Sequence, residues 1–317
     1  MTPISVTESA AAVRPPVAVP VAPKRYLVGL DALRAVAALS VCLFHYTGGM
    51  MPKLMVPAVQ AAFSHGYLGV DIFFVISGFI IPYSLVGKNH RVAGFFTYLK
   101  KRVLRINPPA YASLFLVLGQ WFLIDRLIQH TSHYTGMLTW GQLLHNMLFT
   151  VPFTHYKWIN GIFWTLAIEF QFYLFIGLLF GVLFERSVVW FVGLYVLVAA
   201  ISFLPDTETI AFLHYSSLFA LGGVALLWQQ RCISQGLYLA GLLGFGALIC
   251  WQLEMYSALV GVGTAVGIDL LRVRIPGMSF LGRMSYSFYL VHGLLASQPS
   301  SCSSGCCRPP PIPASYC

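Results

Sequence analysis

Apolar residues run along almost the whole chain in blocks of about 20, the length a helix needs to cross the hydrocarbon of a bilayer. Such blocks fall at 28–50, 68–86, 107–125, 163–184, 187–204, 209–229, 235–252 and 255–271, with a shorter one at 284–296. Between them, 138–154 is briefer, holds His145 and Asn146 and includes a proline, which predicts an interfacial or re-entrant piece. The pattern predicts an all-α fold, a polytopic transmembrane helix bundle of about nine spans.

Composition agrees. The chain has 317 residues, 58% hydrophobic and 9% charged, against roughly 25% charged in a soluble domain. The net charge of +9 would suit a polyanion, but short cytoplasmic loops of membrane proteins are enriched in Lys and Arg. With the N-terminus inside, the inner segments hold Arg14, Lys24, Arg25, Lys88, Arg91, Lys100, Lys101, Arg102, Arg105, Arg186, Arg231, Arg272, Arg274 and Arg283, and the outer ones only Lys53, Arg126 and Lys157. The expected topology is N-in, and no nucleic acid is needed to explain the charge. Residues 1–24, rich in Pro, Ala and Val, do not resemble a signal peptide and read as a disordered cytoplasmic tail. Cys42, Cys232 and Cys250 are scattered among the spans, while Cys302, Cys306, Cys307 and Cys317 crowd the last sixteen residues. No zinc spacing, phosphate loop or internal repeat is present, and no metal is expected.

Against this apolar background the charged residues stand out, because an ionisable group in hydrocarbon is costly and usually faces a pathway or a reaction. In "LDALRAVAALSVCLFHY" (30–46), Arg34 and His45 are eleven residues apart. At ~100° per residue they leave one face of a helix, ~16 Å apart along it. Asp31 lies three residues before Arg34, an i,i+3 spacing that pairs charges. Asp71 in "GYLGVDIFFVISGFIIPY" (66–83) and Glu169 in "WTLAIEFQFYLF" (164–175) enter from the outer side, so His45, Asp71 and Glu169 are expected to meet in one layer, with a histidine general base oriented by a carboxylate. Gly78, seven residues after Asp71, leaves room for a close neighbour. On the inner side, "FFTYLKKRVLRINPPAY" (95–111) places Arg102 and Arg105 on one face of a short helix that Pro108 and Pro109 are expected to break. Arginine suits bidentate phosphate binding.

These stretches, with "RVLRINPPAY" (102–111) and "LGRMSYSFYLVHGLL" (281–295), resemble the successive signatures of the membrane acyltransferase 3 family from about Tyr26 to Leu295. The resemblance implies an integral membrane enzyme that O-acylates sugars or other hydroxyl acceptors from an acyl-CoA donor, acetyl-CoA being expected. It implies that Arg34 and His45 are needed for transfer, that Arg102 and Arg105 engage the acyl-CoA, and that Glu169 is the glutamate of a W-[ST]-L-x-x-E block. The partners it implies are a saccharide or glycolipid acceptor and membrane lipids, in the inner membrane of a bacterium. The family usually has ten spans, so a tenth is expected to be missing here. The domain is expected over 25–296, with 297–317 an atypical, frameshifted tail. Were that tail native, the helix from Met284 would be a half-span with His292 near its buried end. A transporter or proton and solute relay would use the same buried charges, but symmetry-related broken helices, which would favour it, are not visible.

Overall fold

The computed structural model describes residues 26–47, 57–88, 90–128, 134–271 and 276–296, and every regular element among them is helical. The expectations for the tails 1–24 and 297–317 fall outside these residues. In chain order the helices are α1 (Tyr26–His45), α2 (Pro57–Phe63), α3 (Gly69–Tyr83), α4 (Phe95–Leu123), α5 (Trp140–Met147), α6 (Phe163–Phe184), α7 (Val188–Ile201), α8 (Phe212–Gln229), α9 (Gln235–Gln252), α10 (Met255–Leu270) and α11 (Pro276–Ala296). Each apolar block of the sequence thus coincides with a helix. Among the described residues, four helical stretches are long and apolar enough to cross a membrane: Pro57–Tyr83, Val92–Leu127, Phe163–Phe184 and Gln235–Gln252. Val188–Ile201 and Met255–Leu270 are shorter apolar helices.

A helix apolar all round belongs in the middle of a bundle, and α8 does: from Ser216 to Leu227 its side chains are all buried. Around it, Leu239 and Leu243 on α9, Trp190 and Leu197 on α7 and Phe115 and Leu116 on α4 face outward, an apolar exterior suited to lipid. In such an environment helices are drawn together by close packing at small residues rather than by expulsion of water. α3 and α8 cross in this way. A Cβ on Gly78 would lie 2.1 Å from the Phe219 carbonyl oxygen, and one on Gly222 would lie 2.1 Å from that of Val75. At the crossing Phe74 stacks on Phe219 with centroids 5.0 Å apart, and Phe172 of α6 lies 4.1 Å from the same ring. α11 meets α1 equally closely, since a Cβ on Gly282 would be 2.0 Å from the Asp31 carbonyl oxygen.

Three elements differ from the sequence reading. The helix carrying Arg102 and Arg105 is not broken at Pro108 and Pro109 but is the first half of the 29-residue α4. Prolines are tolerated in membrane helices where other groups satisfy the carbonyls they leave free, and α4 runs on through both, braced nearby by the Tyr286 hydroxyl of α11, which donates to the Ile106 carbonyl at 2.9 Å. The final helix begins at Pro276 rather than Met284. Its 21 residues make about 31 Å of helix, so it is not the short stub that the apolar block alone suggested. Cys232 lies in the exposed turn between α8 and α9 rather than in a span. The segment after residue 138 forms only the eight-residue α5, capped by the Thr139 hydroxyl accepting from the Gln142 amide at 3.1 Å.

Gly78→Ala should therefore lower the thermal midpoint in detergent, because the added methyl meets a rigid backbone carbonyl, and overpacking costs about 1–3 kcal/mol. Gly193→Ala, where a Cβ would meet nothing within 4 Å, should be neutral or stabilising by up to ~1 kcal/mol through helix propensity. Equal midpoints for the two variants would contradict the close α3–α8 crossing.

Candidate active site

Five helices, α1, α3, α4, α6 and α11, converge on Glu169. Its carboxylate accepts from the Ser77 hydroxyl of α3 at 3.2 Å and from the Tyr173 hydroxyl, one turn further along α6, at 2.6 Å. Arg34 of α1 lies in the field of Glu169, of Asp31 and Tyr173, and of Arg105 on α4. Asp31 thus stands near Arg34, as their i,i+3 spacing predicts. The Arg102 guanidinium lies over the rings of Tyr98 (5.4 Å) and Tyr173 (5.7 Å) and donates to the Ser84 hydroxyl at the end of α3. Arg105 is exposed, and Tyr286 of α11 lies within the field of both Arg105 and Glu169. Three guanidiniums against the carboxylates of Glu169 and Asp31 leave an excess of positive charge in this pole, and a concentrated field of one sign attracts a ligand of the other. The two arginines of α4 reach it together because a helix places i and i+3 side by side.

The opposite end of α1 carries a second pole. His45 is the last residue of the helix, with Nδ1 2.9 Å from the Val41 carbonyl oxygen. Its ring centroid is 5.1 Å from that of His292 on α11, and His292 is in turn 5.2 Å from the Tyr289 ring. The Tyr289 hydroxyl is 3.0 Å from the Thr165 hydroxyl of α6. Thr165 precedes Glu169 by one helical turn on α6, so this pair of buried hydroxyls lies between the histidine pole and the arginine pole. Among the described residues, no three His, Cys, Asp or Glu side chains are grouped to hold a metal ion.

The expected meeting of His45, Asp71 and Glu169 in one layer is not what the helices produce. Glu169 sits with the arginines. Asp71 is buried in the first turn of α3 and takes a hydrogen bond from Ser257 of α10, in the field of Glu254, to which the Tyr67 hydroxyl donates. Counting residues from the helix end does not give the level of Glu169, and it cannot give the neighbour a face is turned to: the face of α3 that bears Asp71 is turned to α10. Residues absent from the sequence list are Ser77, Tyr173, Tyr289 and, as a main candidate, His292. One signal was present: Tyr286, Tyr289 and His292 recur every third residue in "SYSFYLVH", a polar stripe on an otherwise apolar helix.

Comparison with known proteins decides the family. A family model described as an acyltransferase domain, that of acyltransferase 3, matches residues 27–297 and so contains both poles. The chain belongs to the acyltransferase 3 family. Acyltransferase 3 relatives include the Bacillus subtilis (strain 168) protein provisionally named peptidoglycan O-acetyltransferase YrhL, 32% identical over 158 residues, or 47% of this chain and 23% of that protein. O-acetyltransferase OatA of Staphylococcus aureus (strain NCTC 8325 / PS 47) is 29% identical over 170 residues, 51% of this chain and 26% of its own. The chain thus aligns with about a quarter of the length of each of these relatives. No solved structure matches the chain.

Glu169→Gln keeps a hydrogen-bonding side chain but removes the negative charge among three arginines. Hydrogen bonds to a charged group are worth about 1.5–3 kcal/mol, so the variant should melt a few degrees below the parent in detergent. Glu185→Gln, at the exposed end of α6, should not, since surface changes stay within about 0.5 kcal/mol. Identical melting of all three proteins would remove Glu169 from the centre of the pole.

Proposed function

We propose that the chain is an O-acyltransferase that moves an acyl group, acetyl in the first instance, from cytoplasmic acyl-CoA to a hydroxyl of a saccharide or lipid-linked glycan. The observation that carries this reading is the pairing, on one helix of an acyltransferase 3 domain, of an arginine pole and a histidine pole. The relatives' names favour acetyl as the group transferred, and one of them favours a peptidoglycan hydroxyl as acceptor. The distribution of Lys and Arg supports an N-terminus in the cytoplasm, the nine helices at the predicted blocks crossing the inner membrane of a bacterium. On this reading the arginine pole faces the cytoplasm, where the donor is, and the histidine pole faces outward, where a cell-surface glycan is.

Each residue then has a physical task. Arg102 and Arg105 bind the anionic phosphates of the donor, for which a guanidinium fork is well shaped. Arg34 lines the path of the acyl arm between the poles. His45, with Nδ1 held by the Val41 carbonyl, presents Nε2 as the base for the acceptor hydroxyl. The hydroxyl oxygen attacks the thioester carbonyl, a C–O bond forms, the C–S bond breaks, and the proton taken by His45 is returned to the departing thiolate sulfur. Asp71, held by Ser257 beside Glu254, contributes through the α3–α10 contact that supports the outer end of α3, and Glu169 by holding the arginines in place.

Transfer of label from [acetyl-14C]acetyl-CoA to a soluble oligosaccharide, measured in proteoliposomes, tests the reading. His45→Ala should lower kcat by about 10²–10⁴-fold, the usual contribution of a general base. Arg102→Ala and Arg105→Ala should raise the donor KM while leaving the acceptor KM in place. The loss of one charge-assisted hydrogen bond, about 1.5–3 kcal/mol, amounts to roughly a tenfold to hundredfold weaker donor. An unchanged donor KM would assign both arginines to membrane orientation alone, and full activity in His45→Ala would overturn the mechanism.

A further inference from the structure

We propose that His292 is the proton-sharing partner of His45: the proton removed from the acceptor hydroxyl is held between the two imidazoles until the thiolate leaves. The proposal rests on the acyl-transfer reading above and adds a residue and a task to it.

The two rings are arranged alike. Nδ1 of His45 is hydrogen-bonded to the Val41 carbonyl, and Nδ1 of His292 to the Tyr289 carbonyl at 2.5 Å. A carbonyl can only accept, so each Nδ1 carries the hydrogen and each Nε2 carries a lone pair, because the bond made by one ring nitrogen sets the state of the other. Each ring's Nδ1 edge is tied to its own helix, which leaves Nε2 as the nitrogen of each ring that can take a proton. The centroids lie 5.1 Å apart with the rings tilted by 55°. The two imidazoles are thus close neighbours with no hydrogen bond between them, and a proton or the O–H of an acceptor is the hydrogen that joins them. Nε2 of His292 is an atom that should have found a partner, since the residue is 2% exposed and the nitrogen is buried with no hydrogen bond. Buried polar groups without partners are rare and call for an explanation. A histidine kept only for packing would not need one nitrogen fixed by its backbone and the other left open beside a second imidazole.

The surroundings leave this task to the pair. The titratable group packed against the pair is Tyr289 from α11, its hydroxyl hydrogen-bonded to Thr165, with Cys42 and Tyr46 of α1 nearby. Glu169 reaches no nearer than the field around Tyr289, Tyr67 is committed to Glu254, and Asp71 to Ser257. Among the described residues no carboxylate is bonded to His45, in contrast to the usual acid–histidine arrangement, so a neutral imidazole accepting the new Nε2–H takes that place. The balance is simple. The hydroxyl loses its proton to His45 Nε2, His292 Nε2 accepts a hydrogen bond from the resulting N–H, the ester C–O bond forms as the thioester C–S bond breaks, and the proton passes to the thiolate sulfur. Nothing is oxidised or reduced.

The test compares the full chain with His292→Gln, which keeps the size and a hydrogen-bond acceptor but not the basicity, and with His292→Ala. In the transfer assay, kcat of His292→Gln should fall about tenfold to hundredfold with both KM values within about twofold, the signature of a group needed in the transition state rather than for binding. Millimolar imidazole should restore part of the rate to His292→Ala. A second arm needs no activity: in 15N-histidine spectra of the detergent-solubilised chain, assigned with His45→Gln and His292→Gln, the two Nε2 signals should move together in one step that binds one proton. The step of His45 should change position in His292→Gln. Unchanged kcat in His292→Gln, a loss that imidazole does not reverse in a protein of parental melting point, or two independent titration steps would each overturn the proposal. If the parent chain transfers no acetyl group, the function proposed above fails while the spectra still decide whether the two histidines share a proton.

Discussion

A carboxylate among apolar helices is tolerable only when its oxygens are hydrogen-bonded and its charge is answered by cations, and much of this bundle is organised around meeting that condition for Glu169. Its Oε1 accepts hydroxyl groups from α3 and from α6 itself, and the arginines of α1 and α4 supply the opposing charge. The ring of the same Tyr173 lies beneath Arg102, so the carboxylate and the guanidinium are fixed through a shared neighbour. Membrane helices gain little from the hydrophobic effect between one another. Polar ties of this kind, together with close glycine contacts, are what select one arrangement of apolar cylinders over others.

The glycine contacts set the geometry that the polar ties then use. Because α11 approaches α1 at Gly282, against the Asp31 carbonyl, the two helices share an interface that continues to His45 and His292. The charged end of α1 and its histidine end are thereby served by one partner helix, with Tyr286 at the arginine pole and Tyr289 between the poles. A donor phosphate and an acceptor hydroxyl can be handled at opposite ends of one ~16 Å stripe, which suits a reaction whose two substrates lie on opposite sides of a membrane.

The sequence revealed a good deal of this and missed the rest for identifiable reasons. Helix positions were legible because a lipid-facing helix must be apolar over a fixed length, and the common face of Arg34 and His45, the adjacency of Arg102 and Arg105 and the close contact at Gly78 follow from helical geometry alone. What no period reveals is which helix a given face meets. Asp71 and Glu169 were placed beside His45 by height, whereas the face of Asp71 turns to α10 and Glu169 lies with the arginines at the other end of α1. The continuity of α4 through Pro108 and Pro109 is hidden because a proline reads as a helix breaker, although membrane helices tolerate it, and the full length of α11 is hidden because its first half is too polar to read as a span. His292 was weighed only as a half-span residue, although its place in the Tyr286, Tyr289, His292 stripe marked the face that meets α1.

The central claim is that one site runs between the poles, with the donor's phosphates at the arginines and the reacting carbonyl at the histidines. A cryo-EM structure of the chain in nanodiscs with a non-cleavable acetyl-CoA analogue, a thioether in place of the thioester, tests it most directly. The account predicts density for the nucleotide phosphates against Arg102 and Arg105, the pantetheine arm passing Arg34, and the analogue's terminal carbon within reach of His45 and His292. An analogue bound with its phosphates away from α4, or with its acyl end outside the α1–α11 interface, would contradict it.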